Sequence, residues 1–168
     1  NIFAPLEMRR SYFRGTPYFL ASHRSHNYFV RRDSTSPESP RLLDNGADFD
    51  PGITSPNGAW NAPVSDLVKY VAFLTNALVP GMTRERYDVV LSRASLEEMW
   101  KPGLSMSQGY ESAPNEWMGL SFFVLDRNGQ RILGHTGSQA GFRSFYYFDP
   151  ETQAGVIAVF NTTNSAAP

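Results

Sequence analysis

With 168 residues, 41% apolar and 18% charged side chains and a formal net charge of −1, the chain has the makeup of one folded domain or a large part of one. That balance gives no field favouring nucleic acid or an anionic membrane surface. The absence of cysteine excludes disulfides, thiolate metal sites and cysteine nucleophiles together.

In chain order, residues 1–62 read as an arm and loops. Pro5 limits any helix near the start. Residues 15–32 alternate loosely, as a hairpin or extended arm does. From Asp33 to Asn61 the chain is rich in Ser, Pro, Asp, Asn and Gly, which predicts a long loop. Loops of that length in a compact domain tend to be functional or mobile. The lack of a Met at Asn1 reads as a trimmed or truncated start, and no secretory leader is visible. No apolar run approaches the roughly 18–20 residues of a membrane span.

Residues 63–102 read as the helical part. Pro63 suits a first helical turn, and Ser65 and Asp66 suit its positive end. Leu67, Tyr70, Val71, Leu74 and Leu78 recur at helical spacing and define one buried face. Pro80-Gly81 ends this helix. Ser95 and Glu98 form a capping box that predicts a second, short helix ending before Pro102. Residues 103–116 read as a polar loop.

Residues 117–161 switch to strands. Met118 to Leu125 reads as the first. Asn128-Gly129 is a strong hairpin signal, with Gln130 to Thr136 returning as the second. Phe142 to Phe148 and Gly155 to Asn161 are the third and fourth, joined by Asp149-Pro150-Glu151-Thr152. Short connections between consecutive strands imply an antiparallel meander. Helices followed by strands imply an α+β fold, a meander packed with helices. A meander has two broad faces, and the helix over 63–78 covers only part of one. Further covering elements are therefore expected from a missing part of the same domain or from another copy of the chain.

Four segments together resemble one family. Ile2-Phe3-Ala4-Pro5-Leu6-Glu7-Met8 is similar to an "I-F-x-P-L-G-M" segment, with Glu7 where Gly is usual. Gly58-Ala59-Trp60-Asn61-Ala62-Pro63-Val64-Ser65-Asp66-Leu67 is similar to "G-G-L-x-S-T-x-x-D-L". Leu133-Gly134-His135-Thr136-Gly137-Ser138 resembles a third motif, Lys-Thr-Gly or His-x-Gly. Gly141-Phe142-Arg143-Ser144, Asp149-Pro150-Glu151 and Val156 to Asn161 resemble the closing strands. Their order points to the serine hydrolases that include class C β-lactamases, penicillin-binding proteins and related esterases and peptidases. The resemblance implies that 1–168 is the C-terminal portion of one β-lactamase/transpeptidase-like domain.

It also implies what is missing. The family's nucleophile lies in Ser-x-x-Lys, followed by Tyr-x-Asn, both upstream of the first segment. The lysines here are Lys69 and Lys101, and neither has Ser three positions before it. The chain alone is therefore expected to be inactive, and the full-length parent to act through a serine acyl-enzyme on ester, peptide or β-lactam bonds. The alternative is a non-catalytic binding or scaffold module derived from the fold. By resemblance, the Ser138 backbone N–H is an oxyanion donor. His135 stands where the family has Lys or His, replacing a fixed ammonium by a titratable imidazole. Thr136, Gly137 and Asn161 would meet substrate, Gly137 because it leaves room for close approach. The implied partner is a small-molecule or peptide substrate, with no cofactor, no metal and no nucleic acid. A periplasmic or secreted location is favoured by the resemblance alone.

Plainer readings stand beside these. His135 alone is an ordinary strand-end histidine, Gly137 and Ser138 ordinary turn residues, and Asn161 an ordinary strand-end cap. His23 and His26 lie three apart with no third ligand at fitting spacing, which reads as surface. Asp44, Asn45, Asp48 and Asp50 hint at calcium but lack the EF-hand pattern and its closing Glu. Arg9, Arg10 and Arg14 read as a solvated face. Phe145-Tyr146-Tyr147-Phe148 reads as sheet packing.

Overall fold

A computed structural model describes residues 2–13, 15–33, 36–46, 50–106 and 115–162, with side chains of 31–41 left aside. Arg14 and Asp48, and most of the loop expected over 103–116, lie outside the described residues. The strands are β1 (Tyr12–Phe13), β2 (Tyr28–Asp33), β3 (Ser36–Asp44), β4 (Trp60–Asn61), β5 (Leu104–Ser105), β6 (Glu116–Met118), β7 (Phe123–Arg127), β8 (Gln130–Gln139), β9 (Phe142–Phe148) and β10 (Gly155–Phe160). The helices are α1 (Tyr18–Ala21), α2 (Ser55–Gly58), α3 (Val64–Thr75), α4 (Arg84–Val90) and α5 (Arg93–Met99), with a single 3-10 turn at Gly52–Thr54. The architecture is α+β with antiparallel sheets, as the order of helices and strands predicts. One sheet runs β10-β9-β8-β7-β6-β5, so β10 is outermost; β1 pairs with β4 and β2 with β3.

The chain divides into two compact units. One takes the described parts of Asn1–Arg9, Pro63–His135 and Phe145–Ile157; the other takes those of Arg10–Ala62, Thr136–Ser144 and Ala158–Pro168.

The first unit holds a dense core. Helix α3 buries Val71, Ala72, Phe73, Leu74 and Thr75. Its start is set by Pro63 as N-cap rather than as a first-turn residue, and its end by Asn76 in the left-handed region at φ 60°. There the Ala77 N–H reaches back to the Ala72 carbonyl at 2.9 Å, a closure that needs such a residue. The helix therefore stops before Leu78, which is 57% exposed and does not join the buried face expected of it. Helix α4 was not legible in the sequence; Thr83 caps it, accepting from the Arg86 N–H. Helix α5 begins at Arg93, because Ser92 rather than Ser95 is the cap: the Ser92 hydroxyl accepts the Ser95 N–H at 3.2 Å.

Directly after α5, Trp100 is fully buried. Its ring stands edge-on to Phe148 at 5.5 Å and to Phe122 at 6.2 Å, the arrangement aromatic quadrupoles favour. The Arg93 guanidinium lies over the same ring at 4.7 Å and donates to the Leu74 carbonyl at 2.9 Å. One cation thus ties α5 to the end of α3. A second aromatic contact joins α3 to β9: Tyr70 meets Tyr146 edge-on at 5.8 Å. Burial pushes both phenols up from their ordinary range, so both stay protonated and hydrogen-bonding at any ordinary pH.

Two sequence expectations need correction. Met118 to Leu125 is two strands, not one. Gly119 lies so close to α5 that a Cβ there would meet the Met99 carbonyl at 2.4 Å, and Ser121 turns the chain with φ 64°. The apolar run hides that turn. Asp33 to Asn61 is not a continuous loop: nine of its residues form β3, paired with β2 from Tyr28↔Asp44 to Asp33↔Ser36. Pro37 and Pro40 made the segment look broken, yet each strand of a two-stranded ribbon keeps one open edge where proline is tolerated.

At the turn after β9, Asp149 is buried at 4% exposure. It accepts from Gln130 Nε2 at 2.8 Å, from the Glu151 and Thr152 amides, and from the Thr152 hydroxyl. These bonds, the Gln130 bond foremost, hold its pKa at about 2. A carboxylate depressed in this way stabilises the fold fully above about pH 4 and loses that contribution as pH falls toward 2. Asp149→Ala is expected to cost about 2 kcal/mol at pH 7, measured by urea titration, and to cost much less near pH 2. An equal loss at both pH values would remove the carboxylate from the explanation.

Candidate functional site

Strand β8 carries the four consecutive residues singled out by the third motif. Two-residue turns bound it at both ends. At the first, Asn128 and Gly129 have φ 59° and 83°; at the second, Ala140 and Gly141 have φ 43° and 88°. These left-handed pairs are the turns that match the twist of an antiparallel hairpin. They also fix which way each backbone group points. The register runs from Arg127↔Gln130 to Phe123↔Gly134, and residues flanking such a turn form a hydrogen-bonded pair, so 130, 132 and 134 exchange bonds with β7. Within the second unit, the Ala140-Gly141 turn makes Gln139 and Phe142 the bonded pair, so the Ser138 N–H points away from Phe142–Ser144 of β9. Among the described residues β8 has only β7 and β9 as neighbouring strands.

Within the first unit, His135 is half-buried, and its ring lies flat on Phe123 with centroids 5.0 Å apart and 8° between planes. Within the second unit, Thr136, Gly137 and Ser138 are all exposed. Asn161 is exposed too, but it is engaged. Its carbonyl accepts the Tyr28 N–H at 2.8 Å, and its side chain donates to the His26 carbonyl at 3.1 Å. Its visible role is to tie the end of β10 to the start of β2. His26 faces Asp44 at 3.4 Å on the surface, and among the described residues no three potential ligands gather as a metal site would require. A shallow surface dish beside Phe3, Ala4, Glu7, Met8 and Arg9 includes none of residues 135–138.

Two residues of this region carry no signal in the sequence. Asn27, 3% exposed, donates through its side chain to the Ala140 carbonyl. Asn45 donates to the same oxygen at 2.7 Å. No local pattern marks either one, since their target lies about a hundred residues further along the chain.

The β-lactamase family model matches residues 1–168. The chain belongs to the β-lactamase family. Its fold is that of solved members. It aligns with the octameric penicillin-binding protein homologue from Pyrococcus abyssi at TM-score 0.66 and 22% identity, over 96% of this chain and 32% of that one. A class C β-lactamase in complex with cefoxitin aligns at TM-score 0.67 and 14% identity, over 99% and 47%. A D-stereospecific amidohydrolase from Streptomyces sp. aligns at 0.63 and 21%, over 95% and 41%. The chain therefore spans between a third and half of the length of these structures. No curated protein matches its sequence significantly. Within the family frame, Glu7 has a physical reading: its φ of 54° is the left-handed state that favours the Gly usual there. Its carboxylate meets Arg86 at 2.7 Å.

The two glycines of β8 differ in what surrounds them. A Cβ at Gly134 would meet the Tyr146 carbonyl and the Tyr147 ring, each at 2.3 Å; one at Gly137 would meet only the Ser144 hydroxyl, at 2.8 Å. Gly134→Ala must move backbone and is expected to cost about 1–3 kcal/mol. Gly137→Ala needs only a hydroxyl rotation and is expected to cost under about 0.5 kcal/mol. Parallel urea titrations of the two variants check this, and similar losses in both would contradict it.

Proposed function

We propose that the full-length protein is a serine hydrolase that forms an acyl-enzyme, and that this chain supplies one wall of its cleft. The observation that carries the reading is the exposed Thr136-Gly137-Ser138 stretch, whose last N–H lies on the edge turned away from Phe142–Ser144 of β9. An extended substrate can lie along such an edge as an added strand. In the proposed step the nucleophilic Ser, supplied from outside this chain, attacks a carbonyl carbon. The carbonyl π electrons move to oxygen, and that oxyanion is held by the nucleophile's own N–H and by the Ser138 N–H. A base outside this chain takes the Ser hydroxyl proton and returns it to the leaving oxygen or nitrogen, so collapse expels a neutral alcohol or amine. Water, deprotonated in the same way, then releases the acid and restores the Ser hydroxyl.

By the family resemblance, His135 would serve as a hydrogen-bonding group for a substrate carboxylate or for the upstream Tyr. Gly137 keeps the edge low enough for close approach. Thr136 and Asn161 are the proposed flanking contacts. With His in place of Lys, esters and peptides fit this wall better than β-lactams, because no permanent ammonium awaits a carboxylate.

A second reading is a binding or scaffold module without catalysis. The lack of Ser-x-x-Lys in the 168 residues fits both readings, because the family places that motif upstream. Finding Ser-x-x-Lys and Tyr-x-Asn in the roughly 150–250 residues before Asn1 favours the enzyme. A fluorophosphonate probe on the full-length protein separates the two readings. Labelling that is lost on Ser→Ala at the nucleophile supports hydrolysis, and no labelling supports the module. Ser138→Pro deletes the proposed oxyanion donor and is expected to slow acylation by about 10²–10³-fold. An unchanged acylation rate would take Ser138 out of the mechanism.

A further inference from the structure

We infer that Asn27 is a positioning residue for the exposed end of β8, a role that rests on the acyl-transfer reading of that edge. The β8–β9 turn is strained. Ala140 is held at φ 43°, an unfavourable state for a residue with a Cβ. A turn built on such a residue persists when its surroundings over-determine it. Here one oxygen does much of that. The Ala140 carbonyl accepts two side-chain amides, from Asn27 and from Asn45.

Asn27 is the buried member of the pair, with 3% of its surface exposed. Its own carbonyl accepts the Asn45 N–H at 3.0 Å, so the second donor is itself set in place by Asn27. A Cβ on Gly141 would lie 3.1 Å from the Asn27 Cβ and 3.2 Å from its Nδ2, so Asn27 is packed directly against the turn. A buried amide in such a position is retained only where its bonds are made.

The neighbours of Asn27 extend the grip. Tyr28 donates its N–H to the Asn161 carbonyl, and the His26 carbonyl accepts the Asn161 side chain. Residues 26–28 therefore hold two separate segments within the second unit: the β8–β9 turn and the end of β10. Ser138 lies two residues before Ala140, so a turn that tilts carries the Ser138 N–H with it. An oxyanion donor acts by being in place before charge develops, and a loosely supported donor loses that advantage.

The test uses the full-length protein and three variants. Asn27→Asp keeps the shape and removes the donor, Asn27→Ala removes both, and Asn45→Ala removes the second donor at a half-buried site. Site-resolved amide hydrogen exchange is read over 136–141 and, as an internal reference, over 123–127. Hydrolysis of a p-nitrophenyl ester is read as separate kcat and KM. The expected result for either Asn27 variant is exchange about tenfold faster over 136–141, the weight of one net hydrogen bond, with 123–127 unchanged. The expected kinetic result is kcat lowered about tenfold or more with KM within about threefold. Asn45→Ala is expected to move the same readouts less.

Unchanged exchange over 136–141 in all three variants overturns the inference. So does an acceleration spread evenly over both segments, which marks a purely structural anchor. If the Asn27 variants do not fold, Asn45→Ala decides by the same readouts. A full-length protein that neither hydrolyses the ester nor reacts with fluorophosphonate defeats the acyl-transfer reading alone, while the exchange pattern still decides whether Asn27 fixes the turn.

Discussion

Strand β8 begins and ends in a two-residue turn, and both turns hold a left-handed pair of residues. Because a strand alternates its backbone groups, these turns leave one pattern of donors along all ten residues. A slip of one residue would exchange every inward and outward group. Gly134 forbids that slip from the middle, since the Tyr146 carbonyl and the Tyr147 ring occupy the space of any side chain there. Within the second unit, the direction of the Ser138 amide is set at the Ala140-Gly141 turn rather than at Ser138 itself.

The first unit has an aromatic core of its own. Trp100, Phe122 and Phe148 meet edge-on, and each comes from a different segment: the end of α5, the approach to β7 and the end of β9. Arg93 adds a cation over the Trp100 ring and a bond to the end of α3. Such a cluster fixes relative positions as well as burying area, because edge-on geometry has a narrow optimum. The second unit is different. Its described residues include little buried apolar surface beyond Ala59, and its order rests on hydrogen bonds such as those of Asn27, Asn45 and Asn161.

That difference explains what was legible in the sequence. Elements that bury an apolar face announce themselves by periodicity. Helix α3 and strands β8 and β9 were readable for that reason, and Asn128-Gly129 because its chemistry is local. The His135 to Ser138 motif was legible as a string, though only the Ala140-Gly141 turn gives the Ser138 amide a direction. Where order depends on polar contacts, the sequence is quiet. β3 was concealed by its prolines, and the break after Met118 by the apolar residues on either side of it. Asn27 could not be found at all, because its partner at Ala140 is 113 residues away. The displaced start of α5 shows a subtler limit: Ser92 and Ser95 are both good caps, and only geometry shows which one accepts.

Among the described residues β10 ends the six-stranded sheet on one side, and it spells Gly-Val-Ile-Ala-Val-Phe. It holds no charge and no proline, and Val156 and Val159 stay about half exposed. Sheets usually guard a free margin with lysine, proline or a bulge, and an unguarded one templates further strands from other molecules. Among the described residues, the first half of β10 carries none of these guards, and Val156 is the position where a lysine would supply one.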